Sequence, residues 1–399
     1  MQPSRWKRAL LILGIGLLAI AGLGAWAFAS PAGSSLDDDY HLASIWCAQG
    51  ERDSICELTE HETARALPES IVYSSHCYAL KSEQSAACAP KGDEMMPTGR
   101  GSFQGEQSAT FYSAMSIFVG SDEDASVILM RLVNVTLFVS AVIATVVFLR
   151  PGQRGPVIWA ATVGLVPAGV FFIASTNPSS WAVLSGLIVW MAIVGYFKAE
   201  RRRNRIVLGI IAAVVGIMGA GARSDAAVYV AIAALVAVVL TYSSTKNWRL
   251  LALLPLGLML VGAYFFLFSS QSSWAVAPAI TEAGQNSDGE SGFLGLAAIN
   301  LMLLPTLLLG NSGSWGLGWQ DTPMIPTVPI IAAGILLVIV FWGLRKLTRR
   351  KGIALGFTLF VLIAFPLYVL HGQQVRVGSE VQPRYMLPLL LVFIGVALY

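Results

Sequence analysis

Apolar runs of spanning length recur along this chain, at 9–29, 126–149, 157–173, 181–197, 206–222, 226–243, 250–269, 326–344 and 353–370, and a last one opens at 386. A helix rises about 1.5 Å per residue and a bilayer core is roughly 30 Å thick, so some twenty apolar residues make one crossing. The pattern predicts an all-α polytopic membrane protein, a bundle of about ten transmembrane helices. The final run, 386–399, reaches only about 21 Å at that rise, so it is either tilted or the opening of a longer segment. One further apolar stretch, Phe293 to Gly310, carries Asn300 and Pro305 and is barely long enough to span. A full crossing there would upset the parity of all that follows, so it reads as a re-entrant or interfacial helix beneath an external loop.

Charge then orients the bundle. Only 12% of the 399 residues are charged and 55% are hydrophobic, which no soluble domain matches. The basic residues gather before the first helix (Arg5, Lys7, Arg8) and after the second (Arg150, Arg154), fourth (Lys198 to Arg205), sixth (Lys246, Arg249) and eighth (Arg345 to Lys351). These are 17 of the 26 Lys and Arg, whereas 22 of the 23 acids, all but Glu200, fall on the other side. By the positive-inside rule the N-terminus is cytoplasmic, and the acidic face of this multi-pass cell-membrane protein is extracytoplasmic. The net charge of +3 averages two opposed faces, and the basic loops need no nucleic acid to explain them. Ala27-Phe28-Ala29 resembles a signal-cleavage site, but an apolar run of about twenty residues favours a retained anchor.

The chain divides into a tail and first helix (1–30), an extracytoplasmic loop (31–125), helices two to seven (126–269), a second external loop with the interfacial segment (270–325) and the C-terminal helices (326–399). Residues 31–125 hold 16 acids against 5 Lys and Arg, and all four cysteines, Cys47, Cys56, Cys77 and Cys88. An even number on the external side predicts one or two disulfides, and the spacing leaves three pairings open. His41, His61 and His76 share the loop, but their spacings match no zinc pattern. The rest of the loop is expected to form short helices on the bilayer, with 111–118 packing back towards the second membrane helix.

Candidate chemistry lies on this face. Asp37-Asp38-Asp39-Tyr40-His41 follows the first helix directly, and three carboxylates beside an imidazole are costly to assemble unless they hold a cation or move a proton. Such an acid can serve as general base towards a hydroxyl, and Asp37 with Asp38 can hold Mg or Mn. The plainer reading is an acidic N-terminus for the helix that starts near Tyr40. Arg223, Arg376 and Arg384, also external, can grip phosphate oxygens in fork geometry; Arg223 has a plainer alternative, a pair with Asp225 at a helix end.

Several stretches, in order, resemble one bacterial membrane-protein family, catalogued as domain of unknown function 2142 and placed with the GT-C glycosyltransferases. Asp37-Asp38-Asp39-Tyr40-His41 is similar to its Asp-Glu-x-x-His element, Arg131-Leu132 to an Arg-Leu early in the second helix, and Asn177-Pro178 to an Asn-Pro turn. Gly316 to Pro323 resembles its Leu-Gly-Trp-Leu-Asp loop, with Gln320 in place of Leu. Gln382-Pro383-Arg384-Tyr385 to Pro388 resembles Gln-Gly-Arg-Tyr-x-x-Pro, with Pro383 in place of Gly. The resemblance implies a GT-C-like bundle and inverting transfer of a sugar from a polyprenyl-phosphate donor to a glycan or glycolipid acceptor outside the cell. It implies an Asp base, with Asp38 favoured over Asp37 and Asp39 because it fits either spacing to His41. It also implies donor-phosphate contacts from Arg384, Arg223 and Arg376, and substrate-loop roles for Asn177, Trp319, Asp321, Gln382 and Tyr385. Trp315 and Trp319 are candidate sugar-stacking rings. The competing readings are a lipid or glycan transporter and a non-catalytic envelope-assembly protein. Against transport, the apolar spans 157–173, 181–197, 206–222, 326–344 and 353–370 carry no Asp, Glu, Lys, Arg or His.

Overall fold

The computed structural model describes residues 5–269, 293–379 and 381–399. Part of the expected external segment 270–325, and Glu380, lie outside them. Among the described residues eight helices are long and apolar enough to cross a membrane, and two further apolar helices near the C-terminus are shorter. The membrane part comprises α1 (Arg5–Ala29), then, after the elements of the 31–125 loop α2 (Asp38–Trp46), α3 (Glu69–Val72) and α4 (Ala109–Met115), the helices α5 (Glu123–Phe148), α6 (Arg154–Gly164), α7 (Ala168–Ile173), α8 (Ser179–Lys198), α9 (Arg202–Ala222), α10 (Ser224–Thr241), α11 (Lys246–Leu251), α12 (Leu253–Leu267), α13 (Phe293–Leu309), α14 (Thr327–Gly343), α15 (Arg349–Gly372) and α16 (Pro383–Leu398).

Burial sorts these helices by role. In α8, 89% of the most apolar window is buried inside the protein, against 11% in α1. Helix α8 is therefore the hub, with α5, α7, α9, α10 and α16 packed around it, and α1 is a peripheral helix lying mainly against α5. The hub can be this crowded because Gly186 lets α16 touch it backbone to backbone: a Cβ there would lie 2.3 Å from the Pro388 carbonyl oxygen. That contact fixes the height of α16, whose first turn carries Arg384.

The expected single helix 157–173 is two helices. Pro167 supplies no amide to a continuing ladder and disfavours a helical residue before it, so α6 stops at Gly164 and α7 restarts at Ala168. The stretch expected to be re-entrant or interfacial is one helix, α13, extended by a 3-10 turn from Gly310 to Ser312, and with that turn it is among the eight long and apolar enough to cross. Asn300 donates to Val375 O (3.0 Å) and accepts from Val377 N (2.9 Å), and Asn311 donates to Pro383 O (2.8 Å). Asn300 thus ties α13 to the connection between α15 and α16, and Asn311 ties the turn after α13 to the first residue of α16.

The loop 31–125 is a small domain rather than helices alone. Strands β1 (Glu57–Leu58), β2 (Arg65–Pro68) and β3 (Met95–Thr98) form an antiparallel sheet in that order. Strands this short show no readable alternation in the sequence. Bonds Cys47–Cys56 and Cys77–Cys88 staple the domain. Its own core, built on Leu42, Ile45, Trp46, Leu67, Ile71 and Phe111, continues onto Met130 and Trp181 of the bundle. The domain is therefore seated on the helices as one packed unit, and α2 is held by tertiary contacts along its length.

Candidate active site at the acidic end of the bundle

The acid triplet straddles the start of α2, and burial separates its members. Asp37 is the N-cap residue, in left-handed backbone (φ 60°, ψ 17°), and its side chain makes no capping bond. A non-glycine residue there is uncommon, though Asp tolerates it better than most. The preceding carbonyl holds it in place: Leu36 O accepts from Asn177 Nδ2 at 2.9 Å and from Arg384 Nη1 at 2.7 Å. The carboxylate, free of capping duty, faces two arginines. Its Oδ2 accepts from Arg384 Nη2, and its Oδ1 from Arg100 Nη2 at 3.2 Å. The Arg384 side chain is 1% exposed and that of Asp37 is 36% exposed, so a buried cation meets a carboxylate that solvent reaches.

Arg100 continues the ladder, donating also to both oxygens of Asp39. Asp38 turns the other way and is fully buried; its Oδ2 accepts from Ser35 N at 3.1 Å, and Oδ1 has no partner among the described residues. Burial pushes its carboxyl up to about 7, although the neighbouring Arg131 opposes the change. For Asp37 burial also resists ionisation, but Arg384 and Arg100 outweigh it and hold the carboxyl below the usual carboxylate range. His41 is buried and pushed down to about 3, so the ring is neutral. The Tyr112 hydroxyl donates to Gln107 Oε1 (3.1 Å), which leaves its oxygen to accept from His41 Nδ1 (2.9 Å).

Late helices complete the cluster. Tyr385 lies between two guanidinium groups: Arg223 Cζ is 4.1 Å from the ring centroid and Arg384 Cζ 4.9 Å. Arg223 also forms a forked pair with Asp225 (2.9 and 3.1 Å) and donates to Ser179 Oγ (2.9 Å). Behind these groups Arg131 holds the C-terminal end of α1, donating to the carbonyls of Ala27 (3.2 Å), Ser30 (2.5 Å) and Pro31 (2.7 Å). Such carbonyls have no partner within a helix, so the buried arginine fixes where the chain enters the triplet.

The remaining sequence candidates sit around this centre. Trp319 Nε1 donates to Gly33 O (2.8 Å), and Asp321 accepts from Leu80 N (2.9 Å) and Trp319 N (3.2 Å), so both hold the loop that supports residues 33–36. Gln382 and Trp315 line a small cavity of about 30 Å³ between α7, the loop after α13 and α16, bounded also by Leu36, Phe171, Asn311 and Arg384. Arg376 is exposed in the connection before α16, and none of its described contacts reaches the triplet.

A divalent cation does not fit this donor set. Both Asp37 oxygens are occupied by guanidinium groups, Asp38 is sealed beneath, and such a cation takes six or more oxygens. Among the described residues no three His, Cys, Asp or Glu side chains converge as a metal set.

A family model described as a predicted membrane protein, DUF2142, matches residues 21–393. The chain belongs to that family. No curated protein and no solved structure matches it. In this DUF2142 chain the sequence brought forward the acids, Arg223, Arg384 and Asn177, but not Arg100 or Tyr112. Arg100 carries only a faint signal, one of few bases in an acidic loop, because its role depends on β3 delivering Gly99-Arg100 beside α2.

Proposed function

We propose that this DUF2142 protein transfers a sugar from a polyprenyl-phosphate donor to an extracytoplasmic acceptor, with Asp37 as base. The observation that carries the reading is the meeting of Asp37 with the buried Arg384 at the outer end of the bundle. A carboxylate that only capped α2 would point at amide groups of its first turn; this one points at guanidinium groups. Buried Asp38 and the buried, neutral His41 support the turn that presents it.

In this reading the donor's phosphate takes up the guanidinium fork of Arg384, with Arg223 and Tyr385 alongside. Withdrawing Arg384 from Asp37 removes the charge that depresses its carboxyl, so the base strengthens only once donor is bound. The acceptor hydroxyl gives its proton to Asp37, its oxygen bonds to the anomeric carbon, and the carbon–oxygen bond to the phosphate breaks. The lipid phosphate leaves with the electron pair, stabilised by the arginines, and the anomeric centre inverts. No metal enters this sequence.

The test is sugar incorporation from radiolabelled polyprenyl-phosphate donors by the purified protein in bilayers. Asp37→Asn is expected to lower turnover by about 10²–10⁴-fold, the usual worth of a positioned base, at unchanged folding. Undiminished turnover in this variant removes Asp37 from the reaction.

A further inference from the structure

Beside the arginine ladder the extracytoplasmic domain opens a second, larger cavity. It measures about 240 Å³ and is lined by Asp39 and Ala43 of α2, Val72, Tyr73 and His76 after β2, and Pro97 to Arg100 at the end of β3. A water molecule's share of the liquid is roughly 30 Å³, so the space takes a ring-sized solute rather than a few ordered waters. One wall is shared with the candidate active site, because Arg100 bonds Asp37 and Asp39 at once.

The lining selects among ligand classes. Tyr73 and His76 form an edge-to-face pair, centroids 5.0 Å apart. Among the described residues neither the Tyr73 hydroxyl nor the His76 ring nitrogens enter a hydrogen bond, and Arg100 Nη1 is likewise uncommitted. Thr98 Oγ1 already accepts from Arg100 N at 3.1 Å, which sets the arginine's path. The cavity thus offers an aromatic face with donors and acceptors in one small volume. An anion is disfavoured by Asp39 in the wall and by the acidity of a domain with 16 acids against 5 bases. A purely apolar ligand would leave these polar groups unpaired. A neutral polyhydroxylated ring satisfies both conditions, its C–H face against Tyr73 and its hydroxyls towards His76 and Arg100.

We propose that this cavity is a binding site for a neutral sugar ring of the acceptor, an inference that rests on the transferase reading for the word acceptor but not for the binding itself. Arg100 then has two tasks, bonding the acceptor ring and holding Asp37, which couples acceptor occupancy to the orientation of the base.

The experiment is ligand-observed NMR on the full-length protein in nanodiscs, with a panel of methyl hexosides and methyl pentosides and glycerol as the acyclic control. At least one glycoside is expected to bind, glycerol is not, and Tyr73→Ala is expected to weaken binding at least tenfold. The milder pair Tyr73→Phe and His76→Gln, with unchanged Tm and intact disulfides, is expected to weaken it several-fold each. Failure of every glycoside to bind, or binding that all three variants leave unaltered, overturns the site. The two readings fail separately: glycoside binding without sugar incorporation retains the site and sinks the transferase. Incorporation with an acceptor KM unmoved by Tyr73→Ala does the reverse.

Discussion

At the scale of single residues, three adjacent aspartates have three fates because consecutive side chains at a helix start point in different directions. Asp37 faces arginines and solvent, Asp38 faces the interior, and Asp39 pairs with Arg100. The proposal of Asp37 as base, where spacing to His41 favoured Asp38, rests on burial that no count along the chain reveals. The two positions separate in a pH experiment. The Asp38 carboxyl is raised from 3.8 to about 7 in the folded protein, so between those values the native state holds a proton that the unfolded chain has lost. Stability carried by that proton is full below about pH 4 and declines as pH rises to about 7. Asp38→Asn, neutral throughout, is expected to flatten this part of the stability profile while keeping the Ser35 contact. Thermal unfolding from pH 4 to 8 in detergent checks it, and an unchanged slope assigns the titration elsewhere.

At the scale of elements, the site depends on how closely helices approach. Helix α16 brings Arg384 to Asp37 only because Gly186 admits Pro388 against α8. Gly186→Val forces those backbones apart, and overpacking of this kind costs about 1–3 kcal/mol. The expected outcome is a lower Tm together with weakened donor binding, read by titrating a polyprenyl phosphate; unchanged donor affinity would show that Arg384 tolerates a shift of its helix. Helix positions were legible because an apolar run of spanning length is a local property. The break at Pro167 was legible in principle from the proline alone. The three short strands were not, since two to four residues give no periodicity and the pairing of β2 with β3 bridges more than twenty-five residues of chain.

For the whole molecule, the 31–125 domain is seated on the acidic end of the bundle, the end that the distribution of basic loops predicts to be extracytoplasmic. Topology is checked by accessibility: in intact cells an impermeant maleimide is expected to label Lys81→Cys and not Lys246→Cys. Equal labelling of both would overturn the orientation read from the basic loops. The seat itself is a continuous core in which Leu42 and Trp46 of the domain meet Met130 and Trp181 of the helices. Such a core resists hinge motion of the domain, so the ladder Arg384–Asp37–Arg100–Asp39 is assembled before any ligand arrives.

The sequence by itself determined the membrane bundle, the separation of a basic from an acidic face and the list of side chains able to do chemistry, because apolar length, basic loops and residue type are written locally. Tertiary structure alone decided which aspartate meets Arg384, that Arg100 joins them, that Arg376 stands apart and that Cys47 pairs with Cys56. Asp37 and Arg384 are 347 positions apart in the chain. Their meeting is set by the packing of α8 against α16 and by the grip of Arg131 on the end of α1, and contacts of that range leave no periodic trace in the order of the residues.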